Sequence, residues 1–530
     1  MSIRKNSLWA ACSLALSITQ APIAAHANDR TADCPTDKTS QQLDKPNYNI
    51  PLVEGPFDSS VESLKTYQTP TWFRDAKFGI WAHWGPQAVP RAGDWYARNM
   101  YIQESAQYKH HVEHYGHPTK FGYKDIIPLW KAEKFDPEAL MDLYAKAGAK
   151  YFVSMGVHHD NFDLWDSKHH RWNAVDMGPN RDIVGDFKKA AEKRGLRFGV
   201  SEHLGASYTW FTPSHGFDRL WTPEAYNSYD GADPAYKDLY HNGDEPFKWK
   251  KDTWYAKNPA WHQQWFDRIT DLVERYQPDL LYTDGGIPFG EVGRTLVANF
   301  YNQNISTHNG DLEAVYNHKD HGTGEFIREA GVQDVERGVM SDINPLPWQT
   351  DTSIGDWYYS DGFEYKPTSQ VVHMLADIVS KNGNLLLNVV QYPDGSLPPE
   401  PLQFLREMAD WMEVNGEAIY GTRPWVIYGE GPTESSGGSF SEGDTYTAED
   451  VRFTKKNETL YAIALGLPKK QVRIKALGLN AEAAGKKIKS VELLGYPKAL
   501  KWAQDNDALT IKVPGKMPTK HAVSFKVEFI

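Results

Sequence analysis

The sequence has too few cysteines for its fold to depend on disulfide bonds. Only Cys12 and Cys34 occur among the 530 residues. Cys12 lies in an N-terminal segment with the features of a cleaved signal, so Cys34 would be alone in the mature chain. A framework of disulfides, as found in small extracellular domains, is therefore excluded.

Long apolar runs are also missing. The stretch from Leu8 to Ile18 is mostly apolar but too short to span a bilayer, and it follows the positively charged Arg4 and Lys5. A small-residue cleavage site, Ala-His-Ala, ends at Ala27. This pattern predicts a signal peptide at residues 1–27 and an exported protein, periplasmic or secreted, with no membrane insertion.

Positive charge is scarce, whereas aromatic residues are abundant. The 57 Lys and Arg residues are outnumbered by 69 Asp and Glu, which gives a formal charge of −12. Because no block of Lys or Arg stands out, a nucleic-acid partner is excluded. Aromatic residues make up 13% of the chain. Most of them should fill the core, but a few exposed tryptophans would suit stacking against sugar rings.

The middle of the chain alternates helices with short apolar strands. Asp136-Pro137-Glu138, for example, begins a helix that ends near Gly148, and a strand follows at Tyr151. About eight such strands predict a (β/α)8-like (TIM-type) barrel over residues 59–424, after a polar tether at 28–58. From 425 to 530, short alternating runs predict a small antiparallel β-sandwich. The Gly- and Ser-rich segment 429–450 is interpreted as a mobile loop.

Polar residues follow the predicted barrel strands, at the end where (β/α)8 barrels carry their active sites. They are His83, His158, His159, Glu202, His203, Asp284 and Asn388, with Trp81, Trp84 and Trp95 nearby in the sequence. Carboxylates and aromatics without an evident nucleophilic Ser or Cys, in an exported barrel, favour glycoside hydrolysis. The tetrapeptide His318-Lys319-Asp320-His321 is interpreted as a solvated loop face.

Five motifs in order give the sequence a family resemblance. They are Phe78-Gly79-Ile80-Trp81-Ala82-His83-Trp84-Gly85, Asp94-Trp95-Tyr96, Val157 to Ser167, Leu281-Tyr282-Thr283-Asp284-Gly285, and Asn382 to Asn388. The sequence thereby resembles the α-L-fucosidases of glycoside hydrolase family 29 over residues 60–425. The resemblance implies a barrel followed by a β-sandwich, a retaining mechanism and no metal or other cofactor.

The resemblance also implies roles for individual residues. Asp284 would be the catalytic nucleophile, and four residues would line the fucose pocket: His83, Trp95, His158 and His159. The general acid/base is expected to be Glu336, and Glu325, Glu329 and Glu202 remain open. A retaining enzyme needs its second carboxyl protonated before attack, so we expect a raised pKa for Glu336, with Arg337 pointing away if the chain is extended.

Three single positions and one tripeptide depart from the family pattern. Asp94 stands where Glu is common before the pocket tryptophan, Gln349 replaces a Glu, Tyr282 replaces a Trp, and Ser201-Glu202-His203 replaces a Tyr-rich strand end. The linkage preference therefore cannot be carried over. The resemblance implies an exo-acting retaining enzyme that releases α-L-fucose from fucosylated oligosaccharides or glycoconjugates. The alternatives are a retaining glycosidase for a related sugar such as α-L-galactose, and a non-catalytic sugar-binding barrel.

Overall fold

The fold is known from a computed structural model that describes residues 47–218, 227–248 and 253–530. The predicted signal peptide and most of the predicted tether lie outside the described residues. The described end of the tether hydrogen bonds to a long helix of the barrel: the Val53 and Phe57 amides donate to the side chains of Asn299 and Asn302.

Eight parallel strands close into a barrel in chain order. They are β1 (Phe78–Ala82), β2 (Tyr151–Val157), β3 (Arg197–Glu202), β4 (Leu280–Thr283), β5 (Val315–Lys319), β6 (Val332–Asp334), β7 (Trp348–Ser353) and β8 (Gly383–Asn388). β1 pairs with both β2 and β8, which completes the ring. Nearly every strand residue is buried, as expected for a parallel sheet covered on both faces. The predicted barrel is confirmed.

Helices surround this barrel and connect its strands. The α-helices of the described residues are α1 (Val61–Leu64), α2 (Thr71–Ala76), α3 (Tyr96–Asn99), α4 (Ala106–His114), α5 (Tyr123–Ile126), α6 (Pro137–Lys146), α7 (Ile183–Lys193), α8 (Ser207–Trp210), α9 (Lys237–Tyr240), α10 (Pro259–Tyr276), α11 (Glu291–Thr307), α12 (Thr368–Ser380) and α13 (Pro399–Asn415). The start of α6 follows the predicted chemistry, because the Asp136 side chain accepts a hydrogen bond from the Ala139 amide. Within the described part of the chain, no helix is both long and apolar enough to cross a membrane.

The C-terminal part of the chain forms two antiparallel sheets, as predicted. The strands are β9 (Arg423–Glu430), β10 (Val451–Lys456), β11 (Thr459–Ala464), β12 (Gln471–Ile474), β13 (Ile488–Leu493), β14 (Lys501–Gln504), β15 (Leu509–Lys512) and β16 (Val523–Phe529). One sheet has the order β13-β16-β11-β10-β9 and the other the order β12-β15-β14. They enclose a core of their own, with Phe453 and Phe525 fully buried.

A buried ion pair joins the sandwich to the barrel. Asp377 on α12 accepts hydrogen bonds from Arg452 Nε on β10 at 2.5 Å and from Lys381 Nζ at 2.8 Å. All three side chains are almost inaccessible to solvent. Because a buried charge is costly unless it is paired, these contacts hold the two parts in a fixed relation.

Candidate active site

A pocket of about 400 Å³ opens at the carboxyl ends of the barrel strands. All six residues that the sequence predicted for the site line this pocket, namely His83, Trp95, His158, His159, Asp284 and Glu336. Further titratable residues of the lining are Asp94, His203, Lys319, His321 and Asp351, and further aromatic residues are Trp81, Trp254, Tyr255, Trp357 and Phe440. The pocket therefore combines carboxylates, imidazoles and aromatic faces.

Asp284 follows β4 and is surrounded by positive or polar groups. Its Oδ1 accepts a hydrogen bond from Lys319 Nζ at 2.7 Å, and its Oδ2 lies 3.3 Å from His159 Nε2 and 3.4 Å from His203 Nδ1. Burial raises the pKa of this carboxyl, but the Lys319 charge and His203 outweigh burial and hold the pKa well below its ordinary value. Asp284 is therefore ionised at neutral pH, as a nucleophile must be.

Glu336 follows β6 and shares the Lys319 ammonium with Asp284. Lys319 Nζ donates to Glu336 Oε2 at 2.7 Å, and His321 Nε2 lies 3.6 Å from the same oxygen. The two carboxylate oxygens bonded to Lys319 cannot be farther apart than twice 2.7 Å. This limit agrees with the roughly 5–5.5 Å separation of the carboxyl pair in retaining glycosidases.

The structure contradicts the expectation of a raised pKa at Glu336. Burial does raise the pKa, but the Lys319 ammonium and His321 lower it further, so the net shift is downward. Arg337 does point away, as expected, but its backbone is left-handed rather than extended, with φ of 45°. Lys319, not Arg337, is the cation that neutralises Glu336.

Lys319 is the charged residue between the two carboxylates, and the sequence analysis did not assign it to the site. It ends β5, its side chain is only 3% exposed, and it lies between Asp284, Glu336 and Asp351, the last at 3.6 Å. Burial lowers the pKa of Lys319, but these carboxylates outweigh burial and raise it well above its ordinary value. The interpretation of residues 318–321 as a solvated loop face is therefore wrong for Lys319 and for His318, which is buried as well, and holds only for Asp320 and the partly exposed His321. Its position could have identified it, because Lys319 lies at the carboxyl end of a barrel strand, where other site residues also lie.

Four histidines form one wall of the pocket. The rings of His83, His158, His159 and His203 lie 4.6–5.4 Å apart between neighbouring centroids. Neither ring nitrogen of His83 has a hydrogen-bond partner in the part of the chain that the structure describes. Burial lowers the pKa of His83 and of His158 well below the ordinary value, so both imidazoles are neutral. Neutral imidazoles donate or accept hydrogen bonds and suit sugar hydroxyl groups.

The same wall contains the groups that could hold a metal ion. Ligand atoms of His158, His159 and His203 lie within 4.8 Å of one another, as do those of His83, Asp94 and His158. Asp94 is half-buried, and desolvation together with Asp356 raises its pKa well above the ordinary value. A protonated Asp94 can donate a hydrogen bond to a sugar hydroxyl, which is a second use for the same groups.

The other glutamates considered for the acid/base do not line the pocket. Glu202 is buried behind it and accepts hydrogen bonds from Thr283 Oγ1 at 2.8 Å and Trp265 Nε1 at 3.1 Å. Glu325 pairs with Arg294, and Glu329 is exposed. Glu336 is therefore the glutamate of the described residues that can reach a sugar bound next to Asp284.

Comparisons with known proteins identify the family of the chain. Residues 48–417 match the family model of α-L-fucosidase, and residues 443–528 match that of the α-L-fucosidase C-terminal domain. Tissue α-L-fucosidase of Homo sapiens is 28% identical over 469 residues, which cover 87% of this chain and 89% of that protein. Plasma α-L-fucosidase of Pongo abelii is 30% identical over 476 residues, with 86% and 89% covered.

A solved structure gives the same result. The crystal structure of Thermotoga maritima α-fucosidase in complex with fucose superposes with a TM-score of 0.67 at 27% identity, covering 88% of this chain and 99% of that one. The chain thus belongs to the α-L-fucosidases of glycoside hydrolase family 29 and is a glycoside hydrolase.

Proposed function

We propose that this protein releases terminal α-L-fucose from fucosylated oligosaccharides or glycoconjugates by a retaining double displacement. The observation that carries the proposal is the pair of carboxylates, Asp284 and Glu336, joined by Lys319 in one pocket. A pocket of about 400 Å³ takes one sugar residue with its leaving group at the mouth, which supports exo action. The substrate is a carbohydrate, and the four histidines of the pocket wall and Trp95 hold its fucosyl group.

In the first step an oxygen of Asp284 attacks the anomeric carbon of the sugar. The bond from that carbon to the leaving oxygen breaks, and Glu336 gives its proton to this oxygen. A covalent glycosyl ester on Asp284 results, and Glu336 is left as a carboxylate. In the second step Glu336 takes a proton from water, the water oxygen attacks the anomeric carbon, and the ester bond to Asp284 breaks.

The contacts of Lys319 explain how Glu336 changes roles between the two steps. The negative charge of Asp284 raises the pKa of Glu336, whereas the Lys319 charge lowers it. When Asp284 becomes an ester its charge disappears, and Lys319 then acts on Glu336 without that opposition. The pKa of Glu336 therefore falls in the covalent intermediate, which is the direction that a general base requires.

The experiment compares Asp284→Gly with the unaltered enzyme on an aryl α-L-fucoside. We expect kcat to fall by at least about 10³-fold, because the atom that forms the covalent bond is lost. Added azide should restore turnover and give a fucosyl azide of inverted configuration. Glu325→Gln, a change to a carboxylate outside the pocket, is the matched control and should keep its activity. Near-normal activity of Asp284→Gly without azide would contradict the proposal.

A second substrate separates the fucosidase from the alternative glycosidase. Aryl α-L-galactoside carries one more hydroxyl group than aryl α-L-fucoside. We expect the ratio of the two kcat/KM values to favour the fucoside. A higher kcat/KM on the galactoside would identify the related sugar as the substrate.

We also propose how the chain is divided and where it acts. Residues 1–27 are a signal peptide, 28–58 a tether, 59–424 the catalytic barrel and 425–530 the β-sandwich, and the protein is exported to the periplasm or beyond. The basis is the Arg4-Lys5 start, the apolar stretch and the Ala27 cleavage site. N-terminal sequencing of the exported protein should begin at Asn28, and a start at Met1 would contradict the signal peptide.

A further inference from the structure

A loop of the β-sandwich reaches the mouth of the barrel. The segment 437–443 follows β9 by several residues, and its backbone pairs with the stretch after β6. The Phe440 amide donates to the Glu336 carbonyl at 2.8 Å, and the Gly438 amide donates to the Val339 carbonyl at 2.7 Å. The loop, which the sequence predicted to be mobile, is thus hydrogen bonded to the residue proposed as the acid/base.

A charged anchor fixes this loop to the barrel. Glu442 has a side chain only 11% exposed, and its Oε1 lies 3.0 Å from Arg337 Nη1 and 2.9 Å from Lys366 Nζ. Its other oxygen accepts a hydrogen bond from the Thr352 hydroxyl at the end of β7. This carboxylate is largely shielded from water and contacts two cations and a hydroxyl group. Such a set of contacts holds the loop in one position.

The loop approaches so closely that a glycine is required opposite it. A Cβ at Gly338 would lie 2.0 Å from the carbonyl oxygen of Gly438, which no real side chain allows. Gly438 itself has φ of 94°, in the left-handed region that favours glycine. The close contact therefore depends on a glycine in the barrel, Gly338, and on a glycine in the loop, Gly438.

The loop leaves one large apolar side chain uncovered at the pocket rim. Phe440 is 66% exposed although it lines the pocket, and its ring centroid lies 6.3 Å from that of His321. A single exposed phenylalanine is common on protein surfaces, but Phe440 is part of the pocket lining and is carried by a loop that Glu442 anchors to the barrel. Phe440 and Glu336 line the same pocket, and Glu336 is the residue proposed to protonate the leaving oxygen of the substrate.

We propose that Phe440 forms the leaving-group subsite, where it stacks against the apolar face of a neutral pyranose attached to the fucosyl group. This inference rests on the proposed function, because it takes the leaving group to lie on the Glu336 side of the scissile bond. The contiguous C–H bonds on one face of a pyranose match an aromatic ring. A neutral sugar fits better than an anionic one, since the His321 charge is already matched by Asp320 and Glu336.

The test compares two substrates that differ only in the leaving group. α-L-Fucosyl fluoride has no sugar to stack, whereas a fucosylated disaccharide has one. For Phe440→Ala we expect the ratio of kcat/KM on the disaccharide to kcat/KM on the fluoride to fall about tenfold. Phe440→Trp should restore the ratio, because it keeps an aromatic face. Phe363→Ala is the matched control, since Phe363 is 43% exposed and does not line the pocket.

Two outcomes would overturn the inference, and neither is confused with a failure of the proposed function. If Phe440→Ala leaves the ratio unchanged, or lowers kcat/KM equally on both substrates, Phe440 does not bind the leaving group. If the unaltered enzyme hydrolyses neither substrate, the proposed function fails instead. Gly338→Val provides an independent check: unseating the loop should lower the same ratio while the melting temperature shows whether the fold is kept.

Discussion

Replacing Glu336 by alanine should lower kcat/KM strongly for substrates whose leaving group must be protonated. It should lower kcat/KM only slightly for substrates whose leaving group departs without a proton. General acid catalysis contributes about 10²–10⁴-fold to rate, or roughly 2.7–5.4 kcal/mol of barrier. A natural glycoside has a poor leaving group and should lose all of this in kcat/KM. An activated aryl fucoside, whose leaving group departs without a proton, should lose at most a few-fold in kcat/KM.

The remaining contacts of Lys319 should keep the fold stable when Glu336 is replaced by alanine. After Glu336 is removed, Lys319 Nζ still lies 2.7 Å from Asp284 and 3.6 Å from Asp351. The buried ammonium therefore keeps two carboxylates, and the uncompensated charge that destabilises many such variants does not arise. Glu336→Gln keeps an oxygen for Lys319 but has no proton to give, so it should behave like the alanine variant.

The assay measures kcat/KM on an activated aryl fucoside and on a fucosylated disaccharide, at several pH values. The decline of activity at high pH, which reports loss of the acid's proton, should flatten in both variants. Azide should accelerate turnover of the aryl substrate and yield a fucosyl azide of retained configuration. An equal loss of kcat/KM on both substrates, with no rescue by azide, would refute the assignment of Glu336.

Two further predictions concern buried charges. Lys319→Met should move both limbs of the pH profile of kcat/KM to higher pH, because the Lys319 charge lowers the pKa of Asp284 and of Glu336; limbs that stay in place would contradict this role. Asp377→Asn should cost about 3–5 kcal/mol of unfolding free energy, measured in denaturant, because it leaves Arg452 and Lys381 buried without their carboxylate. Asp361→Asn, in an exposed pair with Arg91, is its control and should cost less than about 1 kcal/mol.

The sequence predicts the barrel well because its signal is local. The helix predicted from Asp136 to about Gly148 is α6, and the strand predicted to follow at Tyr151 is β2, which begins there. His83, His158, His159 and Asp284 follow apolar runs and were predictable for the same reason, whereas Trp95 was predicted from the family resemblance. Lys319 was not predicted as a site residue because β5 ends in the polar residues Asn317, His318 and Lys319. A search for apolar runs does not recognise these residues as part of a strand. Its pairing with Glu336 comes from a neighbouring strand, and no local pattern contains it.

The role of residues 437–443 was unpredictable for a different physical reason. Gly- and Ser-rich composition lowers the intrinsic order of a segment, and it therefore indicates a mobile loop. The order of this loop is supplied from far away in the sequence, by Arg337, Thr352 and Lys366 acting on Glu442. Composition describes what a segment does alone, whereas this segment is held by groups on the barrel.

The dipeptide Glu336-Arg337 links the chemistry to the second domain. A left-handed backbone at Arg337 turns its guanidinium away from Glu336, so it stacks over the Trp357 ring at 4.9 Å and binds Glu442. Had Arg337 turned inward, a second cation beside Lys319 would have lowered the pKa of Glu336 further, against the needs of a general acid. The same turn therefore spares the acid an extra positive charge and supplies the anchor for the loop that carries Phe440. On this reasoning the β-sandwich supplies Phe440 to the leaving-group side of the site, and the barrel alone would lack this aromatic contact.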